Sequence, residues 1–202
     1  MRIIVAFCLS GLIGVSLGVA PVPKDILKKF PDYYPLLPGT EWEYGTGDLA
    51  IIVKVEDYEK KDGVRTGKLV TYANGKDVAF ETIRIDDTGV YRTHINDTKI
   101  EPAILLLKFG IKDETEWATK CKVGEAKIDF KFKLEGLVEL KVPAGKYQAV
   151  KVTGTGDVAG TKTNTEYHFA EGVGIIRLGF DVGGSGTVLS LKKYTAGKEP
   201  KK

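Results

Sequence analysis

EYHFAEGVGIIRL, residues 166–178, reads as a strand, a glycine-bearing turn and a returning strand, and a looser copy, ETIRIDDTGVYRT, stands at residues 81–93. Sliding one onto the other by 85 positions places Glu81 on Glu166, Gly89 on Gly174 and Arg92 on Arg177, and pairs Asp86 with Glu171 and Val90 with Ile175. A hairpin written twice is architecture. Gly89 and Gly174 are expected to supply a backbone conformation that side chains resist, after which the return strand exposes Arg92 or Arg177 and turns Tyr91 or Ile176 inward.

The repetition extends outward from this pair. Thr40, Glu41 and Trp42 recur as Thr115, Glu116 and Trp117, and Gly63 followed by Val70 recurs as Gly145 followed by Val152. The offsets of 75, 82 and 85 grow in chain order, as a duplication with short loop insertions produces, with copies at about 40–95 and 115–181. KIDFKFKLE, residues 127–135, alternates Ile128, Phe130, Phe132 and Leu134 with charged residues, so one face is dry and the other wet. The same parity resumes after Gly136 in Val138, Leu140 and Val142, so this glycine bends one long strand. Ile176, Leu178 and Phe180 form another apolar face. Turn signals fall at Asp62-Gly63, Asn74-Gly75, Asp86 to Gly89 and Pro143-Ala144-Gly145. Only EPAILLLKFG, residues 101–110, has helical composition. These patterns predict an all-β domain over residues 40–194, two related antiparallel halves joined into one strongly curved sheet or partly open barrel.

YYPLLPGTEWEY, VPAGKYQAVKV and YHFAEGVGIIRL resemble motifs of a family of secreted, largely uncharacterised bacterial β-proteins common in planctomycete-like genomes. That family shares a PL.PG..W.Y opening, a VPAG.Y.AV.V hairpin and a Y.F..GVG hairpin; where it often has Pro in the last motif, this chain has Glu171. The resemblance implies the fold and export. It implies no catalytic residues, because the family has no agreed ones.

The two ends carry their own signals. One basic residue, an apolar run and small residues at Gly18 and Ala20 mark residues 1–20 as a cleaved secretory leader, an uncleaved anchor being the alternative; after cleavage no stable membrane span is expected. Residues 21–39 hold five prolines, with room for one helical turn near 25–30. Ile26, Leu27, Phe30, Tyr33, Tyr34, Leu36 and Leu37 are too apolar for a free linker, so this lead-in is expected to dock over an edge or mouth of the sheet. TAGKEPKK, residues 195–202, has almost nothing to bury and is expected to be a mobile tail.

The chemistry is sparse. With 30 Lys plus Arg against 27 Asp plus Glu, a net charge of +3 gives no concentrated positive field, which argues against a nucleic-acid partner. Cys121 is the one cysteine after the leader, so no internal disulfide forms, and it is expected to be an inert strand thiol. Ser185 and Ser190 lack a nucleophile-elbow context. A Cys121 nucleophile would need His94 or His168 as its base. Glu166 and His168 share a strand face but lack a third spaced ligand, so neither a metal nor any other cofactor is expected. GTGD at residues 45–48 and 154–157 lacks the Lys and Ser or Thr of a phosphate loop and reads as strand ends. Trp42, Tyr44, Trp117 and Tyr167 are the candidate binding residues, with core packing as their ordinary alternative. The expectation is a non-enzymatic binding or assembly module of the cell envelope, acting on an envelope protein. A carrier of a lipid or other apolar small molecule comes next, and a hydrolase with an acidic site third.

Overall fold

The computed structural model describes residues 32–47 and 49–200. The expected leader, the helical turn near 25–30 and the apolar groups Ile26, Leu27 and Phe30 lie outside the described residues. Twelve strands follow in order: β1 (Glu41–Thr46), β2 (Leu49–Lys61), β3 (Val64–Ala73), β4 (Lys76–Ile85), β5 (Gly89–Ile95) and β6 (Thr98–Lys108), then β7 (Glu116–Val123), β8 (Ala126–Val142), β9 (Gly145–Val158), β10 (Thr161–Ala170), β11 (Gly174–Val182) and β12 (Ser185–Thr195). Each strand pairs antiparallel with its sequence neighbours, and β1 pairs with β12, from Glu41 opposite Thr195 to Gly45 opposite Ser190. The barrel is therefore closed, whereas the sequence left open a curved sheet or partial barrel. Closure leaves no terminal edge to pair with another chain.

Local chemistry explains the meander. Asp62-Gly63 and Asn74-Gly75 both take positive φ at each turn residue, the geometry that matches strand twist, and Ala159-Gly160 does the same where no turn was expected. The residues quoted as repeats lie on strands six apart: Trp42 on β1 and Trp117 on β7, Val70 on β3 and Val152 on β9, Glu81 on β4 and Glu166 on β10. On β8, Ile128, Phe130, Phe132 and Leu134 are buried while Lys127, Asp129 and Lys131 are exposed. Gly136, at φ +110°, sits where the β8–β9 register shifts beyond Leu134. The dry face points into the barrel and the charged face outward, the reverse of a barrel whose outer wall meets lipid.

Three expectations change. EPAILLLKFG is strand, not helix: Leu105 and Leu107 on β6 pair with Tyr91 and Val90 on β5, so tertiary pairing overrides the local preference. The glycines of GTGD at 154–157 lie inside β9; a Cβ on Gly154 would sit 2.7 Å from the Phe132 ring, and one on Gly156 would sit 2.8 Å from Phe130. They make room for the two rings, for the Thr165 hydroxyl and for the close approach of the Asp129 carbonyl. The tail, expected to be free, is held through its backbone: Gly197 N–H donates to Thr40 Oγ1 at 3.1 Å and Lys198 N–H to Pro38 O at 3.1 Å. Side-chain composition carries no record of such bonds.

The described lead-in covers one end of the barrel. Tyr33, Tyr34 and Leu36 are buried, Leu36 packing where Gly67 has no side chain, and Asp32 accepts from Arg65 at 3.0 Å and from Gly172 N–H at 2.8 Å. The opposite end consists of six two-residue connections, from residues 47–48 to Gly183-Gly184. Among the described residues, that end has no covering loop.

One seam is thin. β6 and β7 pair through Ile100 opposite Val123 and Glu101 opposite Lys122, and beyond Pro102, which has no N–H to donate, no further register pairs join them. The Trp117 indole bridges the gap, donating to Leu105 O at 2.9 Å.

Candidate functional site

A cavity of about 280 Å³ lies inside the barrel, lined by side chains of β1–β5 and β10–β12 and by Tyr34. Its deep end, under the lead-in, is built from Tyr34, Trp42, Tyr167 and Ile175. Tyr34 packs on Trp42 with ring centres 5.7 Å apart, and Tyr167 stacks on Phe169 at 5.8 Å. Toward the end without covering loops the lining is Ile51, Thr71, Leu189 and Phe180, whose side chain is 38% exposed.

Midway along this apolar lining stands an ion pair. Arg92 Nε donates to Glu81 Oε2, and both side chains line the cavity. Burial pulls the guanidinium's pKa down, but Glu81, together with the Tyr167 and Tyr34 hydroxyls, outweighs that and holds it above its ordinary value. Tyr44 lies nearby and donates to Ile175 O at 2.7 Å; burial, and then Glu81, keep its hydroxyl protonated. The site therefore holds a guanidinium charge, with the Tyr34 and Tyr44 hydroxyls kept protonated beside it.

Arg92 was expected outside and Tyr91 inside; both are reversed. Ile85 pairs with the fully buried Val90, and Arg92, two residues on, faces the interior opposite Ile83; Tyr91 lies outside, under the Arg84 guanidinium at 4.4 Å. In the second copy the turn is one residue shorter, Ala170 pairing with Gly174 where Ile85 pairs with Val90. The extra bulge residue is Ile176, whereas in the first copy it is Thr93, one position beyond Arg92. A bulge on the near side of the arginine flips it, so Arg177 points out as expected, while one on the far side leaves Arg92 in.

Of the candidate binding residues, Trp42, Tyr44 and Tyr167 meet at the cavity. Trp42 is anchored there by its indole, which donates to Val173 O at 2.5 Å. Trp117 does not join them; it stacks on Phe132 at 5.7 Å beside the β6–β7 seam. Sequence reasoning missed Glu81 and Arg92 as site residues. The repeated Glu and Arg were visible in it, but Arg92 was assigned to the wall facing water and Glu81 was noted only as a repeat match.

Glu166 and His168 do share a face, the outer one. Glu166 binds Lys151 at 3.0 Å, with His168 Nδ1 at 3.7 Å from its carboxylate. Burial raises the pKa of Glu166, but the Lys151 bond and charge outweigh it and leave a net lowering. Burial lowers that of His168, Glu166 opposing. Among the described residues no three His, Cys, Asp or Glu side chains converge as a metal site. Cys121 is buried, and its strand neighbours neither β5, which carries His94, nor β10, which carries His168.

No protein-family model matches the chain, and no curated protein does. Two solved structures share its fold. A candidate lipoprotein from Parabacteroides distasonis ATCC 8503 superposes with a TM-score of 0.54 at 12% identity, over 81% of this chain and 98% of that one. A candidate exported protein with a YmcC-like fold from Bacteroides fragilis NCTC 9343 gives 0.56 at 11% identity, over 80% and 98%. At this identity the likeness is one of fold alone, and no family or motif match accompanies it.

Proposed function

We propose that the protein is an exported, non-enzymatic binding module that takes a small, largely apolar molecule into its barrel. The cavity carries this reading: it is concave, lined mainly by apolar and aromatic side chains with a few placed polar groups, and its volume lies near the lower bound of the roughly 300–1,000 Å³ usual for small-molecule sites. The carrier reading moves ahead of the envelope-assembly reading because the described lead-in covers one end of the barrel while the other has only tight turns. Export rests on the leader-like residues 1–20, and the descriptions of the two structural neighbours as exported protein and lipoprotein agree with it. The non-enzymatic reading is supported by the engagement of the carboxylates: Glu81 is tied to Arg92 and Glu166 to Lys151, and the lowered pKa of Glu166 suits it poorly to protonate a leaving group.

The test is uptake of the neutral dye N-phenyl-1-naphthylamine, read by its own emission and by quenching of Trp42. Leu178→Trp fills the cavity from its side wall and is expected to abolish uptake while the circular dichroism spectrum is retained. Dye binding that Leu178→Trp leaves unchanged places the dye elsewhere and overturns the reading.

A further inference from the structure

We infer that the Glu81–Arg92 pair is a recognition element for an uncharged hydrogen-bonding group, a hydroxyl or an amide, on the apolar ligand; this rests on the cavity reading above. The barrel has no architectural need for the pair. In the other hairpin the second inward-facing pair from the turn is Tyr167 with Leu178, where here it is Ile83 with Arg92, so an apolar residue serves the fold there. Two charges brought into an apolar interior are expensive to desolvate, and apolar replacements of similar size are commonly no less stable. Their placement here follows from a bulge at Thr93, beyond Arg92.

Geometry and charge then choose the ligand's chemistry. A guanidinium has five N–H donors in a fixed fork, and Arg92 binds Glu81 through Nε, with its terminal nitrogens carrying the other four. Both side chains retain just over a fifth of their surface, 22% and 23%, and both line the cavity. A ligand atom arriving there meets a donor and an acceptor side by side. The pair sets opposite charges against each other, and the Tyr34 and Tyr44 hydroxyls beside it stay protonated. A carboxylate would bind Arg92 only against Glu81, and an ammonium would bind Glu81 only against Arg92. A hydroxyl or amide accepts from one and donates to the other and brings no net charge into the cavity. The lining on the opposite side, Leu178, Phe180 and Leu189, suits the hydrocarbon part.

The experiment displaces N-phenyl-1-naphthylamine from the full chain with three ten-carbon compounds: 1-decanol, decanoate and decylamine. In the wild type, decanol is expected to displace the dye roughly tenfold more effectively than either charged compound. Glu81→Gln removes the anion and leaves Arg92 unopposed, so decanoate should become the best competitor. Glu81→Leu combined with Arg92→Met should still bind all three but lose the ranking, and unchanged circular dichroism keeps that variant interpretable. Equal competition by all three in the wild type, or a ranking that Glu81→Gln does not alter, overturns this inference and leaves the cavity reading intact. Failure of every ten-carbon compound to displace the dye overturns the cavity reading, and this inference with it.

Discussion

At Gly174 the backbone runs at φ +96°, and a Cβ added there would lie 3.2 Å from the Trp42 indole nitrogen. Gly89, its partner in the repeat, has no positive φ; its Cβ would instead fall 2.3 Å from Leu107 O, inside the β5–β6 ladder. The shared glycine thus answers to backbone conformation in one copy and to close approach in the other, which corrects the single cause expected for both. Gly174→Val is expected to cost about 2–4 kcal/mol and to lower Tm by about 5–15 °C in thermal denaturation. His168 gives a prediction with a sign. Its folded pKa is lowered by burial, so below about pH 6.5 the unfolded chain takes up the proton first, and stability is lost as pH falls through the folded value. Above about pH 6.5 the contribution is complete and flat. His168→Gln should therefore flatten the pH dependence of Tm just below about 6.5 while leaving the later acid loss from Glu166, whose pKa is also lowered, in place.

Strands were more legible than their faces. The alternation of residues 127–135 identified β8 and its inner wall, and Asn-Gly and Asp-Gly identified two turns, because period-two patterning and positive-φ chemistry are written in single residues. The bulges at Thr93 and Ile176 are not, since each arises from the pairing of two strands, and they decide which arginine enters the cavity. For the same reason the helical composition of residues 101–110 could not rule on β6: Ile104, Leu105 and Leu107 become strand because β5 pairs with them. The thin β6–β7 seam offers a test at this level. Trp117→Phe keeps a ring for stacking on Phe132 but removes the donor to Leu105 O, so it should cost about 1–3 kcal/mol and raise amide exchange chiefly in β6 and β7. Exchange that rises uniformly around the barrel would show that the indole is not a local clasp.

For the whole molecule, the all-β class was readable from the sequence, while closure was not, because closure depends on β1 meeting β12 across nearly the full length of the domain. Trp42, Tyr44 and Tyr167 came together for that reason: closure leaves only β11 and β12 between their strands, β1 and β10, whereas Trp117 lies on β7 across the barrel. The same closing pair sets a timetable. Eleven of the twelve ladders join strands adjacent in the chain and can zip as each hairpin emerges; the β1–β12 ladder must wait for the last strand. A chain leaving a secretion channel from its N-terminus first would carry an exposed β1 edge throughout its passage, and the cavity would come into being only when residues 185–195 arrive. Until then the chain has the sticky edges that holding chaperones act on, and the proposed ligand could be loaded only once the last strand is in place.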